Sequence, residues 1–183
     1  MTAQQVVQAL QREDLTIAGS PMDSEEFAAF YERSARPLWA YLARTSGDPA
    51  LADDLMQESF VRFLCAASPA DGEVDARRYL FRIGTNLLRD HWRRPKASSI
   101  EDVGEAVFAV TSCVEVLDSQ ALLMPALGKL KPRERQLVWL AHAEEYSHKE
   151  IAEITGLGSA SIRLLLFRAR RKLATLLRDG GAA

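Results

Sequence analysis

The stretch YSHKEIAEITGLGSASIRLLLFRARRKL, residues 146–173, decides how this chain is read. Ser147-His148-Lys149-Glu150 has the form of a capping box, with Ser147 as N-cap and Glu150 reaching back from the third helical position. Ile151, Ala152 and Ile154 supply the apolar side of a helix too short to be stable alone. Gly156 and Gly158 let the backbone turn sharply, and Ser159 or Ser161 can cap a second helix. In that second helix Ile162, Leu166, Ala169, Leu173 and Leu176 recur at steps of four and three, which makes one buried stripe. Arg163, Arg168, Arg170, Arg171 and Lys172 lie off that stripe. Two short helices, a glycine turn and a basic free side are the build of a helix-turn-helix whose second helix can enter a major groove. The alternative is an ordinary helical hairpin with a solvated basic face.

The rest of the chain narrows the choice. Its 183 residues suffice for one domain or two small ones, and 48% hydrophobic content supports packed cores. There is no apolar run of membrane-spanning length and no charged-then-apolar N-terminus, so a cytoplasmic location without membrane insertion is expected. Cys65 and Cys113 are far apart, with no His or Cys at ligand spacing, and read as reduced and non-catalytic. No metal or cofactor is expected. His91, His142 and His148 have no Ser, Cys or carboxylate constellation around them, and no glycine-rich phosphate loop occurs, so an enzyme finds little support. The net charge of −2 conceals a segregation. Residues 1–75 carry five basic and thirteen acidic groups, and residues 76–96 seven basic groups against Asp90. Residues 97–120 hold five acidic groups and no basic one, and residues 121–178 eleven basic against five acidic. Two basic blocks around an acidic linker suggest two contacts with a polyanion.

Upstream of the opening stretch the chain reads as helices. Residues 1–22 are an extension in which a short pattern (Val6, Val7, Leu10) dissolves into Gly19-Ser20-Pro21. A helix starts at Asp23 with Phe27, Phe30, Tyr31, Leu38, Tyr41 and Leu42 as its stripe, and Pro37 is expected to kink or break it near Arg36. Gly47 ends it, Asp48 caps the next helix, and Pro49 takes the first position. In that helix, over residues 49–65, Leu51, Leu55, Ser59 and Phe63 should pack inward. Asp54, Gln57, Glu58 and Val61 fall on another face, which is either a protein-docking patch or a solvated acidic surface. Residues 66–73 form a loop by composition, and Asp75 can cap a helix over residues 76–94. Its buried stripe is Tyr79 or Leu80, Ile83, Leu87, and Asp90 or His91. Arg78, Arg82, Thr85, Arg89 and Arg93 trace the opposite stripe, with Asn86 and Trp92 beside it, as suits a phosphate track with neighbours that stack on or hydrogen-bond to bases. Residues 97–111 read as a linker. From about Leu117, Leu122, Leu123, Leu127 and Leu130, and then Pro132 through Leu137, Val138, Leu140 and Ala141, form a helical platform for the opening stretch.

In this order the pieces resemble the extracytoplasmic-function (ECF) sigma factors of bacterial RNA polymerase. The resemblance rests on residues 52–60 (ADDLMQESF), 78–87 (RYLFRIGTNL), 90–94 (DHWRR), 150–154 (EIAEI) and 168–173 (RARRKL). It implies an all-α chain: an extension (1–22), a region 2-like domain (23–96), an acidic linker (97–117), a region 4-like helix-turn-helix domain (118–178) and a tail (179–183). It implies that Asp53, Asp54, Gln57, Glu58 and Val61 grip the β′ clamp helices of core RNA polymerase. Ser68 and Asp71 would lie in the loop that captures a flipped minus-ten base. Arg78, Arg82, Thr85, Asn86, Arg89, Trp92 and Arg93 would hold the melted strand and adjacent duplex. His148, Lys149, Ser159, Ser161, Arg163, Leu164, Arg168 and Arg171 would read the minus-thirty-five element, with the domain seated on the β-flap. The linker would run near the RNA exit path, and the usual inhibitory partner in such a family is an anti-sigma factor. One departure stands out. Leu164-Leu165 replace a small polar residue and Arg, and Phe167 replaces a residue that is commonly His, which leaves the second helix apolar nearly all round. That surface either meets DNA through shape and phosphates or docks a protein. The competing function is a helix-turn-helix regulator that never joins the polymerase.

Overall fold

Capping chemistry sets most of the helix boundaries. In the computed structural model, which describes residues 24–66, 72–93 and 117–180, the chain folds into seven helices with no strand among the described residues. These are α1 (Ser24–Ser46), α2 (Pro49–Leu64), α3 (Glu73–Arg93), α4 (Leu117–Gly128), α5 (Pro132–His142), α6 (His148–Thr155) and α7 (Ser159–Gly180). Gly47 (φ 79°) closes α1, and its N–H donates to the Ala43 carbonyl at 2.9 Å. The Asp48 carboxylate then accepts the N–H groups of Ala50 and Leu51 at 3.0 and 3.1 Å, with Pro49 opening α2. At α6 the capping box is complete. The Glu150 N–H reaches the Ser147 hydroxyl at 3.3 Å, while Glu150 Oε2 accepts the Ser147 N–H at 2.8 Å. Gly156 (φ 68°) ends α6 in the left-handed region; Gly158 does not use that freedom.

Two boundary expectations need correction. Helix α1 continues past Pro37 to Ser46 without a break. Buried Phe30, Tyr31 and Ser34 on one side of the proline and Leu38, Tyr41 and Leu42 on the other anchor both halves to one core, which offsets the missing hydrogen bond. Helix α3 starts at Glu73, so Asp75 sits inside its first turn and binds Arg78 instead of capping. Gly72, at φ 93°, supplies the turn into it.

The first three helices close on an aromatic cluster. Phe30 and Phe63 stack at 5.1 Å, and Tyr31 meets Phe60 at 4.7 Å. Leu80, Phe81 and Leu88 of α3 complete this core. The helices approach closely at Gly84: a Cβ there would lie 3.2 Å from Leu38 Cδ1 and 3.3 Å from Ser59 Oγ. The same core continues into the helix-turn-helix through Leu137, Leu140, Tyr146, Ile151, Ile154, Ile162 and Leu166. The platform adds a smaller cluster in which Leu127, Leu130 and Val138 pack with Ala169, flanked by half-buried Leu173 and Leu176. The α7 stripe is therefore fully buried only from Ile162 to Ala169. Gly84→Val is expected to destabilise the fold by about 1–3 kcal/mol through overpacking, measured as a lower urea midpoint at unchanged slope.

Candidate nucleic-acid and protein interfaces

The acidic face of α2 is open. Asp53, Asp54, Gln57 and Glu58 are exposed and Val61 is half-buried, while Ala52, Leu55, Ser59, Phe60 and Phe63 of the same helix are buried. Trp39 Nε1 donates to Asp53 Oδ1 at 2.8 Å and so orients the N-terminal edge of the patch. Glu58 pairs with Arg62 at 2.7 Å, both half exposed, a contact worth only about 0.3–0.5 kcal/mol that a partner can displace. The result is a firmly mounted negative surface with one apolar member.

Helix α3 departs from its expected pattern. Thr85, expected on the nucleic-acid stripe, is buried and turned inward. Its hydroxyl lies 2.7 Å from the Tyr41 hydroxyl, which accepts a hydrogen bond from Gln136 Nε2 at 2.7 Å. The reason is a second buried side. One flank of α3 packs on α1 and α2, and another packs on the helix-turn-helix, so Thr85 and Phe81 join Leu80, Gly84, Leu87 and Leu88 in the interior. Asp90 and His91, expected to end the buried stripe, are exposed.

The arginine track is consequently divided. Arg78 is half-buried and faces three carboxylates: Asp75 at 2.7 Å, Glu153 at 3.1 Å and Glu150 at 3.6 Å. Arg89 reaches the Thr155 carbonyl at 3.5 Å and Asn86 at 2.7 Å. Arg82 lies over the Tyr79 ring at 5.0 Å, and its exposed side shares solvent with Trp92 and Arg93. Ser68 and Asp71 lie outside the described residues.

Arg77 was not anticipated. Its Nη2 meets Glu144 Oε2 at 2.7 Å and its guanidinium lies 5.5 Å from the Phe81 ring centre. The Glu144 side chain is 5% exposed, and burial raises its pKa against the opposing pull of Arg77 and the Trp139 N–H. Nothing in the local pattern points to this pair, because its members are 67 positions apart. Glu150 behaves oppositely. The Ser147 hydroxyl and N–H hold its carboxyl below the usual value, and Arg78 adds to this.

On α7 the basic run also divides. Arg163, Leu164, Phe167, Arg168 and Arg171 are exposed, as are His148, Lys149, Ser159 and Ser161. Arg170 Nε donates to His142 Nε2 at 2.9 Å, and Lys172 pairs with Glu134 at 2.7 Å, so both are tied to α5. Leu165 is half-buried against the core, whereas its neighbour Leu164 stands half exposed. Leu164, Phe167, Arg168 and Arg171 line one shallow concave surface with Lys172 and Thr175.

Comparison with known proteins agrees with this layout. Residues 30–98 match the Sigma-70 region 2 family, and residues 120–173 match the Sigma-70, region 4 family. The RNA polymerase sigma-E factor of Streptomyces avermitilis is 30% identical over 151 residues, 81% of this chain and 83% of that protein. The chain belongs to the ECF sigma factors. The ECF sigma factor BldN of Streptomyces coelicolor is 29% identical over 165 residues; the match takes in 86% of this chain and 62% of BldN. Among solved structures, CnrH in complex with the cytosolic domain of CnrY has a TM-score of 0.57 at 26% identity, covering 97% of this chain and 95% of CnrH. The sigma factor RpoE of Bartonella quintana, in complex with the anti-sigma factor NepR, shares the fold at a TM-score of 0.69 and 22% identity, covering 84% and 98%.

In this ECF factor the region 2 and region 4 units are closed against each other through α3. Arg77→Ala strips the buried Glu144 of its charge partner. The contact should weaken by about 1–3 kcal/mol, seen as a larger radius of gyration in solution scattering with unchanged helical circular dichroism.

Proposed function

We propose that this chain acts as a promoter-specificity subunit that joins core RNA polymerase and directs it to promoters carrying minus-ten and minus-thirty-five elements. It works by binding alone and supplies no catalytic group. The observation that carries the reading is the open acidic face of α2 (Asp53, Asp54, Gln57, Glu58, with Val61) placed just ahead of the basic α3 in the same unit. A regulator that acts without joining the polymerase needs a helix-turn-helix but has no use for that pairing. On this reading the α2 face grips the β′ clamp helices. Ser68 and Asp71 serve the base-capturing loop, and Arg82, Asn86, Arg89, Trp92 and Arg93 hold the melted strand. Arg163, Leu164, Arg168 and Arg171, with His148, Lys149, Ser159 and Ser161, meet the upstream duplex, while the domain sits on the β-flap.

Arg78 belongs to the same strand-holding set, but only after the two units part. Its guanidinium is occupied by Asp75, Glu150 and Glu153 in the closed form, and phosphates must compete with those carboxylates. Thr85 drops out of the DNA-contacting set because its hydroxyl is committed to Tyr41. A protein of the anti-sigma kind is a natural further partner; CnrH, among the similar structures, is held in a complex with the cytosolic domain of a second protein, CnrY.

Transcription from a candidate promoter by core polymerase, with and without the chain, tests the reading directly. Initiation only in its presence supports it; tight promoter binding by the free chain with no initiation favours the stand-alone regulator. Asp54→Ala combined with Glu58→Ala is expected to weaken core binding about tenfold or more with the fold intact, measured by competition for core enzyme. Arg168→Ala combined with Arg171→Ala should lower the salt slope of upstream duplex binding by about two, near 0.9 per lost phosphate contact.

A further inference from the structure

Among the described residues four large apolar side chains are exposed, and two of them, Leu164 (50%) and Phe167 (61%), stand three positions apart on α7. With Arg168 and Arg171 they form a single outward stripe at steps of three, one and three, and all four line the same concave surface. The α7 side chains around the pair are cationic or neutral, and Glu134 of α5, which reaches the lining residue Lys172, is paired with it at 2.7 Å. No carboxylate occurs from Ile154 to Arg178, and Arg163, Arg168 and Arg171 are open around the pair. Neighbouring Leu165 and Leu166 turn to the core, so the apolar surface is only two side chains wide. A face built to dock a protein helix is broader and less uniformly charged. A narrow apolar stripe between guanidinium groups fits a major groove instead. Phosphates form the groove walls, and the thymine 5-methyl is the apolar group presented on its floor.

We propose that Leu164 and Phe167 form a subsite for thymine 5-methyl groups in the duplex that α7 reads, with Arg168 and Arg171 on the flanking phosphates. The assignment rests on α7 entering upstream promoter DNA. Neither side chain can hydrogen-bond a base edge, so discrimination at these positions runs through the methyl group, and thymine is selected over cytosine by contact rather than by donor and acceptor pattern.

The test uses the full chain in complex with core polymerase. An upstream sequence is first selected from a randomised duplex library. Each thymine in it is then replaced in turn by deoxyuridine, which keeps the pairing edge and removes only the methyl. Binding should fall about fourfold at one or two positions, the equivalent of about 0.8 kcal/mol per methyl. In Leu164→Ser with Phe167→Ser, both surface changes, thymine and deoxyuridine templates should bind equally. If the wild type binds both templates equally at every position while still initiating transcription, the subsite is overturned and the promoter function stands. If the double variant keeps the wild-type preference for thymine over deoxyuridine, or instead loses only a protein partner, the pair is not reading methyls. Failure to initiate on the thymine template overturns the promoter function itself.

Discussion

Everything in this fold turns on the double burial of α3. The Tyr41 hydroxyl sits between Thr85 of α3 and Gln136 of α5, fully removed from water, and burial pushes its pKa up to about 12. The phenol therefore stays neutral and links three helices with two short hydrogen bonds. Gly84, one residue before Thr85, lets α3 approach Leu38 and Ser59 closely enough to place it there. A helix with only one buried side would leave Thr85 in solvent and the Tyr41 hydroxyl without that partner. Because α3 is shared, the aromatic core of the first unit and the apolar stripe of the helix-turn-helix become one continuous interior.

That sharing shapes what the surfaces can do. Arg135 is tied across the units by donating to the Arg44 carbonyl at 2.9 Å, and Arg77 and Arg78 are tied by carboxylates of the second unit. Beside that shared apolar interior, the polar part of the interface is imperfectly satisfied. Arg77 Nε, Arg135 Nε and the Tyr146 hydroxyl are buried without a hydrogen-bond partner among the described residues. Each such group costs on the order of 1–3 kcal/mol, so the contact is weaker than an apolar one of equal extent. Such a contact suits a factor whose two units, on the proposed function, must separate to reach two promoter elements. The closed form leaves the outward stripe of α7 and the acid face of α2 open, while Arg78 and Arg89 are engaged.

Much of the architecture was legible from the residues because the signals are local. Asp48-Pro49, Ser147 through Glu150, and Gly47 act on the nearest turn of backbone, and each did what its chemistry predicts. The inward stripe of α2 and the Ile162–Leu166–Ala169 seam of α7 followed from helical spacing in the same way. Spacing was less informative for α3. A single-stripe reading assigns the opposite side to solvent, and there Thr85 was misplaced and Arg77 overlooked. Pro37 misled for a related reason: its intrinsic preference is local, whereas the anchors that carry α1 past it lie on α2 and α3.

Residue order alone was enough for the helical class, the helix-turn-helix, most caps and the separation of acidic from basic faces, since all of these depend on residues within about one or two turns of each other. Which members of those faces remain free was settled only by packing. Gln136 meets Tyr41 across 95 positions and Glu144 meets Arg77 across 67, and no periodicity encodes such distances. The same holds for Leu164 and Leu165: adjacent in the chain, they are separated by about 100° of helical rotation. Only the position of the neighbouring core shows that Leu165 turns inward and Leu164 is left facing out.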